Sequence, residues 1–336
     1  MGKKVTMAQI AAAAGVSQPT VSLVLNGMAD SMRIKESTRH KVLETAKQLG
    51  YQRVTPNSLQ GKRRIAFVLD GAIITNDHFI TALNEANVRA NELGLVLCQL
   101  DTAGNERGRE LVKKELQSGL YKGVIIATNV TTDDILAYDS GLPTVYLNCI
   151  PRDNLDVYAI LPDDYGGAYD LTRLIAAKYQ HPLIVAGDEW MRATIDRIRA
   201  MRAAFREQHV NITSEEIIYT DWSFKNAYTL TLEYLQDSSK QRPDVILCGS
   251  DFLATAVYQA VYKCGLSIPD DLAITGFDDQ PLALNLTPTL TTVELPYSEM
   301  GSLAVDSLNQ IIDLSDNRQQ IKRLRGRVLV RESTKI

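Results

Sequence analysis

Polar side chains recur in this chain just after short apolar runs, and their types suit holding a small molecule better than breaking one. Asn129, Asn148, Asp188, the trio Asp221, Trp222 and Ser223, the pair Ser250 and Asp251, and the pair Asp278 and Asp279 combine hydrogen-bonding groups with one indole face. Catalysis has less to work with. His40, His78, His181 and His209 are scattered, so no base stands beside a candidate nucleophile. Adjacent acids such as Asp163 and Asp164, or Asp270 and Asp271, point apart on a loop and serve as caps more readily than as an acid and base pair. No G-x-G-x-x-G follows the first apolar run, and no G-x-x-x-x-G-K, H-E-x-x-H or G-x-S-x-G occurs, which removes the common nucleotide, zinc-peptidase and serine-hydrolase motifs. Cys98, Cys149, Cys248 and Cys264 form no C-x-x-C pair and read as reduced, mostly buried thiols. The expectation is a protein that is not an enzyme, with no cofactor and no metal site.

The runs that end in these polar residues, at 65–69, 95–100, 124–127, 144–147, 183–186, 217–219, 245–248 and 273–275, alternate with amphipathic stretches. Strands alternating with helices predict parallel α/β sheets, and ligands in such folds lie beyond the carboxyl ends of the strands. The chemistry and the architecture therefore point to the same place. The length of this region favours two lobes over one.

The chain of 336 residues has a net charge of −4 that hides an asymmetry. Residues 1–64 hold eleven Lys or Arg against three acids, a balance of +8, so the remainder carries −12. A basic head on an acidic body suggests that the head meets a polyanion. No apolar run approaches the roughly 18 residues that a membrane span needs, so no membrane partner is expected.

Within the head, Thr6 and Gln9 have capping-box spacing, and Met7, Ile10, Ala11 and Ala14 follow at helical intervals until Gly15. Ser17 can cap a second helix, Pro19 is tolerated in its first turn, and Val21, Val24 and Leu25 make an inward stripe. A third helix fits residues 37–49, with Val42, Leu43, Ala46 and Leu49 facing in. Three short helices describe a helix-turn-helix headpiece. Rotation at about 100° per residue puts Pro19, Ser22, Leu23 and Asn26 on the outer face of the second helix, with Gln18 at its edge and Leu23 exposed. There Gln18 can bond a base edge, Leu23 can touch a thymine methyl, and Ser17 or Thr6 can bond phosphate.

Residues 5–27, VTMAQIAAAAGVSQPTVSLVLNG, resemble the headpiece of the lactose-repressor (LacI/GalR) family of bacterial transcription regulators, with its pattern T-x-x-D-V-A-x-x-A-G-V-S-x-x-T-V-S-x-V-L-N. The likeness continues through Ser37, Thr38, Arg39 and Val42 and through Leu49, Gly50 and Tyr51. Gln9 replaces the usual acid, and Leu23 stands where many members have a base-reading arginine. By this resemblance Thr6, Ser17, Gln18, Pro19, Thr20, Ser22, Leu23 and Asn26 contact DNA. Leu59 matches a hinge-helix leucine that wedges into the minor groove, although Pro56 lies only three residues before it.

The acidic body shares the resemblance. Residues 79–94 look like a family helix, 163–168 like D-N-x-x-G-A, and 266–279 (LSIPDDLAITGFDD) with 288–293 (PTLTTV) are nearly unmodified family sequence. The implied domains are a headpiece at 1–51, a hinge at 52–64, and an effector-binding and dimerisation core at 65–336. The core resembles a two-lobed periplasmic binding protein, with one lobe at about 65–161 and 291–322 and the other at about 162–290 and 323–336. Carried over singly, Arg197 and Asp278 bind ligand hydroxyls, Trp222 stacks on the ligand, Ser250 makes a polar contact, Phe79 stands at the cleft mouth, and Asn148 occupies a position where sugar-binding members have Asp. The resemblance implies a cytoplasmic repressor that binds a palindromic operator in double-stranded DNA as a homodimer, its affinity set by a small-molecule effector. An arginine, an acid and a flat aromatic favour a carbohydrate. A purine effector, or a ligand-binding receptor with no regulatory role, is the alternative. No leucine heptads follow residues 327–336, so assembly is expected to stop at the dimer.

Overall fold

The structure is a computed structural model that describes residues 6–25, 34–49, 63–71, 77–135, 137–314 and 319–336. The chain divides into two compact units, residues 1–61 and 62–336.

In the first unit, helices α1 (Met7–Ala14), α2 (Gln18–Leu25) and α3 (Glu36–Gln48) pack on one another. The start of α1 is the capping box its spacing predicts. The Gln9 amide donates to Thr6 Oγ1 at 3.3 Å, and the Thr6 amide donates to Gln9 Oε1 at 2.8 Å. Gly15 ends the helix at φ 64°, a left-handed turn that costs glycine nothing. Ser17 Oγ accepts from the Thr20 amide at 3.3 Å, capping α2 as expected. Ile10, Ala14, Val21 and Val42 are fully buried between the helices. Leu43 and Leu49, expected to face in, are instead 45% and 40% exposed. The core is built from small residues and closes on Val42 and Ala46, one turn apart. Leu43 lies about 100° round from that stripe, and Leu49 sits beyond the last helical residue as the C-cap.

In the second unit the strands are, in chain order, β1 (Arg64–Leu69), β2 (Val96–Asp101), β3 (Gly123–Ile135), β4 (Thr144–Pro151), β5 (Tyr158–Pro162), β6 (Pro182–Ala186), β7 (Ile217–Tyr219), β8 (Val245–Cys248), β9 (Ala273–Thr275), β10 (Thr292–Glu294), β11 (Gln320–Leu324) and β12 (Arg327–Leu329). The helices are α4 (Asp77–Glu92), α5 (Glu106–Leu116), α6 (Asp164–Ala176), α7 (Arg192–Glu207), α8 (Phe224–Gln236), α9 (Asp251–Lys263), α10 (Leu282–Asn285) and α11 (Tyr297–Leu314). Six strands form one parallel sheet in the order β11-β5-β4-β3-β1-β2, and four form a second parallel sheet in the order β7-β6-β8-β9. Both faces of each sheet are covered. On β1, Ile65, Phe67 and Leu69 enter one core cluster while Ala66 and Val68 enter another, and β6 alternates in the same way. Burial on two faces is why these strands read as continuous apolar runs.

The chain passes from the first sheet to the second between β5 and β6, and returns between β9 and α11. It leaves the first sheet again after β11 to pair β12 antiparallel with β10. Strands β3 and β4 run past the expected runs, and β5, β10, β11 and β12 lie outside them. Strand β3 continues through the polar residues 128–135 by shifting its register against β4. Strand β11 is an edge strand whose sequence, QIKRL, holds no apolar run. Cys149 and Cys248 are buried, Cys98 and Cys264 are half-buried, and all four are free thiols. Burial pushes the Cys149 thiol up to about 12. Among the described residues no helix is long and apolar enough to cross a membrane.

Candidate functional site

On the headpiece, Ser17, Gln18 and Pro19 are exposed at the start of α2, while Thr20, Ser22 and Leu23 are half-buried. Leu23 is thus less open than its helical position predicts. The hydroxyls of Ser17 and Thr20 bond each other at 2.8 Å, and Thr6 is committed to its capping box. Asn26 and Leu59 lie outside the described residues.

On the larger unit, the carboxyl ends of β6, β7, β8 and β9 meet residues that follow the first half of β3 across a cavity of about 460 Å³. From the four-stranded sheet come Trp222 after β7, Ser250 after β8, and Asp278 and Gln280 after β9. Asn129, Val130 and Thr131 of β3 and Tyr297 at the start of α11 form the facing wall. Ligands of parallel α/β sheets bind beyond the carboxyl ends of the strands, which is where this cavity lies.

The indole of Trp222 is held by two features of its surroundings. Its Nε1 donates to the Met191 sulfur at 2.7 Å, and the ring rests against Gly187, where a Cβ would stand 1.9 Å from Cε2. Trp222 and Asp278 have φ of 52° and 113°, uncommon for residues with side chains. Such outliers persist where the surroundings over-determine them.

Arg197, on α7, is 6% exposed and sits at the centre of a charged cluster. Its Nε and Nη2 reach Asp164 Oδ1 at 2.8 and 2.7 Å, and its Nη1 donates to the Gly249 carbonyl at 2.5 Å. Asp278 Oδ1 lies 3.3 Å from the same Nη1, and the guanidinium covers the Phe277 ring at 3.8 Å. Burial pushes the Asp164 carboxyl up, and the arginine pulls it part of the way back. Burial also raises the Tyr297 phenol, with the Asp278 and Asp164 charges adding to it. Ser250 caps α9, its Oγ accepting from the Leu253 amide at 3.2 Å.

The cavity therefore brings together Arg197, Trp222, Ser250 and Asp278, but neither Phe79 nor Asn148. Phe79, expected at the cleft mouth, is 2% exposed, edge-on to Phe67 in the core. Phe79 shares one core cluster with Phe67 of β1 and with Ala82 and Ala86 of its own helix, so its ring is drawn into the core. Asn148 is 1% exposed behind the wall, accepting from Thr131 Oγ1 at 2.8 Å and donating to the Thr128 carbonyl at 3.1 Å. Conversely, Met191, Phe252 and Tyr297 line the cavity without having been singled out from sequence. Met191 stands five residues past β6, and Tyr297 follows β10, a short strand outside the expected runs, so reading only the residues directly after each run passes over both. Phe252 does follow β8, within the first turn of α9, but an apolar residue there reads as core. The adjacent acids separate as expected. Asp163 caps α6 and pairs with Arg325, Asp164 turns in to Arg197, and Asp279 pairs with Arg331.

Residues 6–54 match the bacterial regulatory proteins of the lacI family, and residues 171–334 match a periplasmic binding protein-like domain. The HTH-type transcriptional regulator DegA of Bacillus subtilis (strain 168) is 30% identical over 311 residues, 89% of each chain. The chain belongs to the LacI family. The ribose operon repressor of Haemophilus influenzae is 29% identical to this LacI-family chain over 339 residues, 98% of each. Among solved structures, a complex of the transcriptional regulator CelR with cellobiose has a TM-score of 0.69 at 23% identity, covering 98% of this chain and 100% of that one. A lac repressor dimer bound to operator and the anti-inducer ONPF has a TM-score of 0.69 at 22% identity, covering 98% and 99%. These structures share the fold. As a LacI-family protein the chain is a DNA-binding transcription regulator, with α1 and α2 as its helix-turn-helix and the larger unit as its periplasmic-binding-protein-like core.

Proposed function

We propose that this LacI-family regulator is a cytoplasmic repressor that binds a palindromic operator as a homodimer and changes its hold on that operator when a small carbohydrate enters the cleft. It does so without turning the ligand over. One observation carries the effector class: the Trp222 ring face and the polar groups of Arg197, Asp278 and Ser250 border one cavity of about 460 Å³. Stacking on the apolar face of a sugar ring and directional bonds to its hydroxyls need that combination. Relatives named for ribose and for cellobiose support the same class.

The cleft lies between the two lobes, so a ligand that touches both favours one angle between them. The segment 52–64 carries that angle to the headpiece. An effector can shift operator affinity only by its own difference in affinity between the two states, typically ~1 to 3 kcal/mol. Gln18 is proposed to bond a base edge and Leu23 to touch a thymine methyl, with Pro19 and Ser22 on the same face of α2 and Leu59 as the minor-groove wedge.

The test selects duplexes from a random-sequence pool with the full chain, then titrates the selected complex with pentoses, hexoses and disaccharides. Palindromic sites, steep weakening with salt from counterion release, and a shift by one neutral sugar are expected. Specific binding that survives removal of residues 1–61 would overturn the DNA assignment. A folded chain indifferent to every sugar would overturn the effector class.

A further inference from the structure

Asp164 holds the second position of the stretch 163–168 that resembles the family's D-N-x-x-G-A, so a carboxylate stands where the family pattern has a neutral amide. That carboxylate is 3% exposed, and two nitrogens of Arg197 converge on its Oδ1 at 2.8 and 2.7 Å. The third nitrogen of the guanidinium is engaged by the Gly249 carbonyl at 2.5 Å and by Asp278 at 3.3 Å. Its face lies on Phe277.

Arg197 is the single base among the described residues that line the cavity, and Asp278 is the single acid. Every other lining residue is neutral. Arg192, which lies in sequence between the lining residues Met191 and Ala193, is directed to Asp196 at 2.7 Å and to Asp133 at 3.7 Å. The arginine that could receive an anionic ligand thus already faces two carboxylates and a carbonyl dipole, and the cluster as a whole is net negative. A phosphate or carboxylate brought into this cleft would give up its hydration and find no uncompensated positive charge in return. A neutral polyol gives up less and needs only single hydrogen bonds.

We propose that Asp164 makes the cleft a charge filter: by neutralising Arg197 it admits uncharged saccharides and excludes sugar phosphates and sugar acids. This rests on the carbohydrate reading of the cleft and narrows it to one charge class. With the Asn of the family pattern Arg197 would face one carboxylate, Asp278, in place of two, so the filter belongs to this chain's own departure from that pattern.

The test is titration calorimetry on the full chain and on Asp164→Asn. The probes are pentoses, hexoses and cellobiose, with ribose 5-phosphate, glucose 6-phosphate and glucuronate as charged counterparts. The variant keeps an acceptor for Arg197 Nε and removes only the charge. The wild type is expected to bind a neutral sugar at least tenfold more tightly than its charged counterpart, and Asp164→Asn is expected to shrink that ratio at least tenfold. Equal or tighter wild-type binding of the phosphate or acid would overturn the filter. So would a folded Asp164→Asn with the ratio unchanged. If the variant does not fold, the wild-type ratio decides alone. A folded wild type that binds no sugar of either charge would overturn the carbohydrate reading and the filter with it, an outcome distinct from an inverted ratio.

Discussion

The ring of Trp222 fills the space that any side chain at Gly187 would need, since a Cβ there would lie 1.9 Å from the indole Cε2. The two residues follow neighbouring strands, β7 and β6, and the fit fixes the height of the indole at the cavity wall. Gly187→Ala is expected to displace the ring and weaken effector binding at least tenfold, leaving effector-free operator affinity unchanged. Calorimetry and DNA titration on the same protein check both halves. Unchanged effector binding would remove Trp222 as the stacking platform.

Arg197→Ala does more than delete a ligand contact. It strands the buried Asp164 carboxylate without its partner, a change that costs about 3 to 5 kcal/mol in buried ion pairs. Denaturant unfolding should show a loss of that order. Arg197→Ala combined with Asp164→Asn should be more stable than Arg197→Ala alone, because the stranded charge is gone. A double variant no more stable than the single one would mean that the pair is not the source of the loss.

Asp251 is fully buried at the start of α9, accepting from the Gln280 amide at 2.7 Å and the Thr292 hydroxyl at 2.6 Å. Burial, with the nearby Asp278 charge, pushes its carboxyl well above the usual range. The folded state therefore holds this proton more tightly than the unfolded chain does. Its contribution to stability is full below the ordinary carboxylate value of about 4 and is lost as pH rises through the folded value. Asp251→Asn can keep both bonds, with the threonine hydroxyl accepting from the new amide. It should flatten the fall in melting temperature between about pH 4 and neutrality. Parallel melting curves for the two proteins across that range would contradict the assignment.

Thr6 closes its capping box through the two backbone bonds with Gln9. Thr6→Ala should cost the headpiece about 1 kcal/mol. Amide exchange in α1 is the direct readout, and faster exchange there with none in the larger unit is the expected pattern. Equal protection in both proteins would show that packing on Ile10 and Ala14 alone holds the helix.

Sedimentation of the full chain at micromolar concentration should give twice the chain mass. The expectation follows from an operator with two half-sites, which two headpieces must engage together. A stable tetramer would point to an association surface beyond the dimer.

What the sequence by itself determined lies where the controlling interactions span a few residues. The Thr6 and Gln9 box, the Ser17 cap, the left-handed stop at Gly15 and the Asp163 cap are bonds over one helical turn, and residue type with spacing is enough to read them. Most buried strands were legible for a related reason: a parallel sheet covered on both faces leaves a continuous apolar run, although the short run of β5 was passed over, and the polar second half of β3 and the edge strand β11 leave none. The tertiary structure alone decided which polar groups meet. Arg197 joins Asp164 across 33 residues and Gly249 across 52, and Trp222 finds Met191 across 31. Those encounters depend on the stacking of strands and helices, which no local pattern encodes. The same packing drew Phe79 into the core and Asn148 behind the wall, and left Leu43 and Leu49 outside a headpiece core too small to hold them. Periodicity says which side of an element is apolar; whether a neighbour comes close enough to cover it is settled by the volume of the side chains on both.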